Sequence, residues 1–263
     1  MPELAEVEFY RRQWDCGIGQ RIMAVELHAR KRIFRGTSTR EISRRLVGAR
    51  LLASSRHGKQ MLFEFSGSSV LGIHLGMTGT LRVEAPAFRP AKHDHLVLRQ
   101  RQRALVFRDP RQFGRIRFQH GNAAEWIREE TPEIVDRRFD RKFLDAFLER
   151  HRRAPIKAVL LLQSGFSGIG NWMADEILWR AHLRPDKKTE LLTSAQRGAL
   201  LRETRFVART SLRIIGESDG RLPKNWLIHE RWRPGGQCPR DGRKLLRATI
   251  GGRTTAWCPR CQP

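Results

Sequence analysis

The chain has 263 residues, of which 51 are Lys or Arg and 27 are Asp or Glu, so its formal net charge at pH 7 is +24. So large an excess of positive charge opposes folding by self-repulsion and is typical of a protein that binds a polyanion. The sequence has no run of 18 apolar residues, no signal-peptide pattern and no basic amphipathic helix with a clean apolar face, which argues against a membrane surface and favours nucleic acid.

A helix is predicted at the start, "MPELAEVEFYRRQW", where apolar residues recur at helical spacing at Leu4, Val7, Tyr10 and Trp14. Pro2 suits the first helical position, and the acids Glu3, Glu6 and Glu8 complement the positive end of the helix dipole. The simplest interpretation of this pattern is a capped helix start.

The same residues also permit covalent chemistry. Removal of Met1 would leave Pro2 with a free secondary amine, and an α-amino group titrates near about 8, whereas a lysine titrates near about 10.4. A helix dipole lowers the pKa of an amine at its N-terminus further. With the carboxylate of Glu3 beside it, such an amine can form a Schiff base with an aldehyde or a sugar carbon.

Short, partly alternating apolar runs follow for about a hundred residues and predict a β domain, either a sandwich or a barrel. These runs are "RIMAVELHA", "KQMLFEF", "SVLGIHLG", "GTLRVE", "DHLVLRQ", "ALVFRD" and "GRIRFQ". Two of the connecting segments, "HLGMTG" and "DPRQFG", place Met77, Arg111 and Phe113 in turns. An arginine and a phenylalanine on a loop tip suit a wedge that enters a base stack, and the alternative for Phe113 is a core residue.

From about Thr131 the apolar residues recur at steps of three and four, which predicts a helical domain. The helical segments are "RKFLDAFLERH", "APIKAVLLLQ", "NWMADEILWRAHL" and "TSAQRGALLRETRFVARTSLRII". A Gly-rich turn, "SGIGN", leads into the third segment, and its N–H groups together with Asn171 can hold a phosphate at the helix N-terminus. The alternative is an ordinary turn in which Asn171 is the N-cap.

The C-terminal tail carries a candidate metal site. Cys238, Asp241, Cys258 and Cys261 have the spacing C-x2-D-x16-C-x2-C, with a carboxylate where a four-cysteine ribbon has its second thiolate. Such a set can bind one Zn²⁺ per chain, and the oxygen ligand lowers the affinity relative to four sulfurs. The alternative is a metal-free hairpin in which Asp241 only makes a turn and the apolar contacts come from Leu245, Ile250 and Trp257.

Seven motifs in order resemble the formamidopyrimidine-DNA glycosylase and endonuclease VIII family of base-excision repair enzymes. They are "PELxEVE", "GK" before a strand, "HLGMTGTLRV", "DPRxFG", "PIK", "GIGNxxxDEILW" and "RTTxWCPRCQ". The resemblance spans nearly the whole chain and implies an α+β fold in three parts. These parts are a catalytic β-sandwich domain with an N-terminal helix over 1–130, a helix–two-turn–helix DNA-binding domain over 131–225, and a zinc-ribbon-like β-hairpin over 226–263.

The resemblance also implies roles for individual residues. Pro2 would attack the sugar C1′ of a flipped, damaged nucleotide, and the Schiff base would undergo β- and δ-elimination. Glu3 would transfer protons at the sugar, with Glu6 and Lys59 completing the catalytic group. The implied DNA contacts are Lys59, His74, Lys157, Asn171 and Arg253, and the residues that fill the gap left by the extruded base are Met77, Arg111 and Phe113.

Two departures from the family pattern affect the local turn at Ala5 and the phosphate contacts after Asn171, and a third segment bears on specificity. Ala5 replaces a frequent second proline, Trp172 and Met173 replace an aliphatic–Tyr pair, and "GESDGRLPKNWLIHERW" occupies the variable lesion-recognition region. The start lacks the Gly-rich "PEGPE" of the endonuclease VIII branch, so we expect oxidised purines as substrates. We expect a cytoplasmic, nucleoid-associated bacterial monomer that acts on double-stranded DNA. The alternative is a non-catalytic damaged-DNA-binding protein on the same scaffold, which the intact Pro2 and Glu3 disfavour.

Overall fold

The chain forms two compact units, Met1–Arg128 and Glu129–Pro263. The structure, a computed structural model, describes residues 1–121 and 131–263. The domain boundary predicted after residue 130 adjoins segment 122–130, which lies outside the described residues. The further boundary at 225 and 226 stays a prediction.

The described part of the first unit contains two α-helices and eight strands. The helices are α1 (Leu4–Gln13) and α2 (Thr39–Leu46). The strands are β1 (Ala24–Leu27), β2 (Leu51–His57), β3 (Gln60–Phe65), β4 (Ser69–His74), β5 (Thr80–Glu84), β6 (Asp94–Arg99), β7 (Ala104–Arg108) and β8 (Arg115–His120). All seven runs that were predicted as strands contain one.

The strands form two antiparallel four-stranded sheets, in the orders β1-β6-β7-β5 and β2-β3-β4-β8. One core contains buried side chains from both sheets, such as Phe63 and Ile73 from one and Leu96 and Phe107 from the other. Trp14, directly after α1, is also completely buried there, with its ring centroid 4.7 Å from that of Phe63. The predicted β-sandwich with an N-terminal helix is confirmed.

Helix α2 was not predicted, because the segment was assigned to a continuous β region. Its N-cap, Ser38, accepts a hydrogen bond from the backbone N–H of Glu41, and Ile42 and Leu46 are buried one turn apart. The Ser-x-x-Glu pattern followed by apolar residues at i and i+4 is the sequence signal for such a helix. Strand β2 was missed as well, since "LLASSRH" lacks the β-branched residues that favour strands.

The described part of the second unit is helical up to its C-terminal hairpin. Its helices are α3 (Arg141–Arg150), α4 (Ile156–Leu160), α5 (Asn171–Arg180) and α6 (Ser194–Ser211), and its strands are β9 (Leu246–Ile250) and β10 (Arg253–Trp257). Each predicted helical segment contains one of these helices, and α6 continues as a π-helical turn over Leu212–Gly216. The predicted α+β class is confirmed. Among the described residues, we find no helix with the length and apolarity that a membrane span requires.

The hairpin has only a small apolar core. Strand β9 is exposed along most of its length, whereas the second half of β10 is buried. Its packing partner is α5, through a cluster that contains Trp179, Leu245, Ala256 and Cys258. So few apolar contacts contribute modestly to folding, and polar interactions therefore contribute a larger share of the stability of this part of the molecule.

Candidate catalytic and nucleic-acid-binding sites

The N-terminus of α1 is a reciprocal capping box. Glu3 is the N-cap, its carboxylate accepts from the N–H of Glu6, and the carboxylate of Glu6 accepts from the N–H of Glu3 at 3.1 Å. The prediction that Pro2 is the first helical residue is wrong, since α1 begins at Leu4. The helix needs a side-chain cap directly before its first residue, and Glu3 supplies that cap. Pro2, which precedes Glu3, therefore lies outside the helix. The nitrogen of Pro2 therefore takes no part in the helical hydrogen bonds.

The third acid of the opening motif, Glu8, has a structural role. It pairs with Arg11 at 2.8 Å and with Arg56 of β2 at 3.4 Å. Burial acts to raise the pKa of Glu8, but hydrogen bonds and the charges of both arginines hold that pKa below its usual value. Arg56 also donates to the carbonyl of Gly58 at 3.4 Å, which ties the turn that carries Lys59 to α1. Lys59 follows directly and is largely buried.

His74, at the end of β4, is held as a neutral ring. Its Nδ1 accepts the N–H of Gly76 at 3.0 Å, so the proton of the neutral ring lies on Nε2. Burial, followed by the positive charges of Lys59, Arg117 and Arg35, lowers the pKa of His74. A neutral imidazole with an Nε2–H is a donor suited to an anionic oxygen.

Two loops present the predicted wedge. Met77 is 44% exposed and Phe113 is 41% exposed, which excludes the alternative that Phe113 is a core residue. The guanidinium carbon of Arg111 lies 4.6 Å from the centroid of the Phe113 ring. Gly76 has a φ of +64°, and a Cβ atom there would lie 2.4 Å from the carbonyl carbon of Phe113. Only glycine therefore allows the two loops to approach so closely.

Asp109 joins these two loops and was not singled out by the sequence. Its buried carboxylate accepts from the hydroxyl of Thr78 at 2.7 Å and from the N–H of Gly114 at 2.7 Å. Its backbone carbonyl contacts Nε2 of His95 at 3.0 Å. An Asp-Pro pair indicates only a turn, and the partners of this carboxylate depend on a strand pairing that the local sequence does not show.

In the second unit, Asn171 and the strand that carries Arg253 come together. Asn171 is the first residue of α5, and its side-chain amide donates to the carbonyl of Thr254 at 2.8 Å. Arg253, the neighbour of Thr254, is exposed. The alternative that Asn171 is the N-cap is wrong, because Gly170 takes that position.

Lys157 does not reach the surface of this unit. Its side chain is completely buried, and Nζ donates to the carbonyl of Asn171 at 2.8 Å and to Asp175 at 2.5 Å. In this structure Lys157 contacts the backbone of α5, and the direct contact between Lys157 and DNA that the resemblance implied stays a prediction. The lysine is held by a buried carboxylate, because an unpaired buried ammonium is strongly disfavoured.

The four residues of the predicted metal site converge, with ligand atoms that all lie within 4.8 Å of one another. The sulfurs of Cys238 and Cys261 are 3.8 Å apart, and the Asp241 carboxylate lies 3.4 Å from the Cys258 sulfur and 3.7 Å from the Cys261 sulfur. A tetrahedral zinc site with Zn–S bonds of about 2.3 Å has edges of about 3.8 Å between sulfurs. The side chains therefore fit Zn²⁺.

The polar surroundings of this cage also suit a cation. Burial raises the pKa of Cys261 to about 12, so thiolates would form here only with a positive charge beside them. The indole N–H of Trp179 donates to the sulfur of Cys238 at 3.3 Å. Asp241 also accepts from the N–H of Arg243 at 3.1 Å, so it makes the turn that the metal-free alternative assigned to it. Making the turn and binding a metal are compatible, since a carboxylate has two oxygens.

Comparison with known proteins agrees with this arrangement. The model of the formamidopyrimidine-DNA glycosylase N-terminal domain matches residues 1–116, and that of the formamidopyrimidine-DNA glycosylase H2TH domain matches residues 131–219. The formamidopyrimidine-DNA glycosylase of Thermomicrobium roseum is 37% identical over 295 residues, which cover 100% of this chain and 99% of the relative. That of Pelotomaculum thermopropionicum is 34% identical over 275 residues, with 100% and 99% covered.

Solved structures show the same fold. Lactococcus lactis formamidopyrimidine-DNA glycosylase, bound non-covalently to DNA that contains an abasic site, is 28% identical and superimposes with a TM-score of 0.87 over 99% of both chains. The same enzyme in complex with DNA that contains an oxidised pyrimidine is 29% identical, with a TM-score of 0.89 over 99% of both chains. With relatives this similar over its full length, and with both family models matched, the chain belongs to the formamidopyrimidine-DNA glycosylase family.

Proposed function

We propose that this protein is a DNA glycosylase and abasic-site lyase of base-excision repair that acts on double-stranded DNA as a monomer. The observation that carries the proposal is the N-terminus of α1, where Pro2 lies outside the helix and directly precedes the buried N-cap residue Glu3. Family membership and a net charge of +24 support a DNA substrate. A protein that only binds DNA has no need of an N-terminal amine.

The reaction begins at Pro2 after Met1 has been removed. The proline nitrogen bonds to the sugar C1′ as the N-glycosidic bond breaks, and the base leaves with a proton. Opening of the sugar ring yields an iminium Schiff base, from which loss of a C2′ proton expels the 3′ phosphate and a second elimination expels the 5′ phosphate. Glu3 transfers protons at the sugar, and its capping bond fixes the orientation of its carboxylate.

DNA is held by groups in both units. In the first unit, Lys59 and the Nε2–H of His74 supply donors for phosphate, and Met77, Arg111 and Phe113 fill the gap left by the extruded base. In the second unit, Asn171 and Arg253 contact the DNA backbone, as the resemblance to the family implies. Zinc held by the Cys3Asp set would cross-link the ends of the hairpin that carries Arg253.

The proposed lesions are oxidised purines, on the ground of the N-terminal motif that places the chain in the formamidopyrimidine branch. Lactococcus lactis Fpg has been solved with DNA that contains an N7-benzyl-Fapy-dG and with DNA that contains an oxidised pyrimidine. A lesion panel must therefore include both classes. Faster excision of oxidised pyrimidines than of 8-oxoguanine would overturn the purine assignment and leave the glycosylase assignment intact.

Borohydride trapping tests the mechanism directly. Reduction should cross-link the protein to DNA that contains 8-oxoguanine or an abasic site, and Pro2→Gly should weaken the cross-link sharply. Glu3→Gln should bind the same DNA and excise the base far more slowly. Mass spectrometry of the purified protein shows whether Met1 is absent, which the mechanism requires. A cross-link that maps to an internal lysine such as Lys59 would overturn the role of Pro2.

A further inference from the structure

Three charged side chains that are distant from one another in sequence meet in the interior of the second unit. Lys157 belongs to α4, Asp175 to α5 and Arg231 to the segment that precedes the hairpin. The side chains are 0%, 0% and 2% exposed, respectively. All three lie in segments that the sequence analysis quotes, but only Lys157 was given a role there, and no catalytic role uses any of the three.

Asp175 is the centre of this ion triad. One carboxylate oxygen accepts from Nζ of Lys157 at 2.5 Å. The other accepts from Nε and Nη2 of Arg231 at 2.8 and 2.6 Å, and from the backbone N–H of Ala256 at 3.2 Å. The fork of a guanidinium fixes the direction of its partner in a way that an ammonium cannot.

The triad reaches both elements of the Asn171–Arg253 site. Lys157 donates to the backbone carbonyl of Asn171 at 2.8 Å, at the first turn of α5. Arg231 donates to the carbonyl of Thr254 at 3.3 Å, and the side-chain amide of Asn171 donates to the same carbonyl at 2.8 Å. Thr254 is the next residue after Arg253. The triad therefore bonds to the backbone of Asn171 and to the backbone directly beside Arg253.

Burial of three charges is a poor way to stabilise a fold, because the desolvation cost offsets most of the attraction and apolar side chains of similar volume often do as well. What such a network supplies is a unique geometry, since each donor must find its acceptor. We propose that Asp175, Arg231 and Lys157 are positioning residues that set the register between α5 and β10, so that Asn171 and Arg253 meet one DNA phosphate. This inference rests on the proposed function.

The test uses the substitution Arg231→Lys, which retains the charge but removes the fork. The matched control is Arg233→Lys, the same substitution two residues away at an exposed side chain whose partner is Glu230. Affinity is measured for a duplex that contains a tetrahydrofuran abasic analogue, over a range of salt concentrations. Arg231→Lys should weaken binding about tenfold and reduce the salt-dependence slope by about one, the signature of a lost phosphate contact. Arg233→Lys should change neither quantity.

A double-mutant cycle separates positioning from general structural damage. If Arg231 acts through Arg253, then Arg231→Lys should have little further effect on affinity in an Arg253→Ala background. Equal losses in both backgrounds, or no loss in the wild-type background, would overturn the proposal. Circular dichroism and zinc content of each variant show whether the hairpin is intact. If Arg231→Lys does not fold, Asp175→Asn is measured in the same cycle, with the same two outcomes.

The wild-type protein keeps this inference distinct from the proposed function. If wild-type protein neither binds the abasic duplex nor cross-links to abasic DNA with borohydride, the proposed function fails. If it does both, and Arg253→Ala weakens binding, the proposed function stands. The positioning role then stands or falls on the coupling between Arg231 and Arg253 alone.

Discussion

Different kinds of interaction hold two regions of the molecule. One region is the pair of loops that carry Met77 and Phe113 in the first unit, and the other is the hairpin that carries Arg253 in the second unit. The loops emerge from a sandwich with a large apolar core, and the buried Asp109 clamps one loop to the other. The hairpin has one mostly exposed strand and a small apolar cluster. Its position relies on a Cys3Asp cage at its base and on the ion triad of Lys157, Asp175 and Arg231.

This difference shows that exposed functional side chains can be positioned with or without a large core. Where a core exists, one hydrogen-bonded carboxylate is enough to align two loops. Where it is small, a metal bound by the Cys3Asp cage would supply free energy, and the buried ion triad supplies the geometry. The two units should therefore respond differently to chelators and to substitution, and their stabilities should change in opposite directions with pH.

The largest expected effect is that of metal removal. Structural zinc contributes about 10–16 kcal/mol of apparent binding free energy in zinc-finger peptides, far more than the few apolar contacts of this hairpin can supply. Elemental analysis should find close to one zinc per chain, and a chelator should abolish DNA binding while the unfolding of the first unit stays unchanged. An ordered, active protein that contains no metal would contradict the zinc assignment.

A matched variant sharpens this prediction. Asp241→Cys replaces the oxygen ligand with a fourth thiolate, which zinc binds more tightly. The variant should retain its metal at chelator concentrations that strip the wild-type protein. Equal loss from both proteins would show that Asp241 is not a ligand.

The next largest effect concerns pH. Burial raises the pKa of Glu176 in α5 to about 7, although Arg180 opposes the shift. The folded state then keeps a proton that the unfolded state loses near 4.5, so this stabilisation is complete below about pH 4.5 and is lost as the pH rises to about 7. The full change is on the order of 3 kcal/mol.

Urea unfolding of the second unit at pH 5 and pH 8 measures how its free energy of unfolding changes with pH, and Glu176→Gln should remove that change.

His74 should make the stability of the first unit change with pH in the opposite direction. Its lowered pKa means that the unfolded state binds the proton more readily, so stability is lost as the pH falls below about 6.5. If the free energies of unfolding of the two units changed in the same direction with pH, this expected difference between them would be wrong.

A smaller effect is expected from Asp109→Asn. An asparagine cannot accept from both Thr78 and Gly114 with the same geometry, and an unsatisfied buried donor costs about 1–3 kcal/mol. Excision from duplex DNA should fall because Met77 and Phe113 lose their alignment. The same substitution at Asp136, which pairs with the exposed Arg138, is the control and should change neither stability nor excision.

The smallest effect on stability is expected from Phe113→Ala. The ring is 41% exposed, so the melting temperature should stay nearly unchanged, with a free-energy change within about 0.5 kcal/mol. Excision from duplex DNA should nevertheless drop, because an inserted side chain offsets part of the cost of unstacking. A loss of about 3–5 kcal/mol, as for an emptied core site, would show that the ring is part of the packing.

Features that depend on neighbours in sequence were determined by the sequence alone. The helical period of α3 and α6, the alternation of the strands, and the Cys-x2-Asp and Cys-x2-Cys pairs all follow from local spacing. The seven motifs, in their order along the chain, were also enough to predict the family and its fold. Even the missed α2 carries a local signal, the Ser38 cap followed by Ile42 and Leu46.

Features that depend on distant partners were decided only by the tertiary structure. Lys157 was expected at the DNA and is buried against Asp175, and Arg231 closes the triad from 56 residues further along the chain. Asp109 acts as a clamp only because strand pairing brings Thr78 to it. The free energy of burying a charge depends on what lies within a few ångströms in space, and sequence spacing carries no information about that distance.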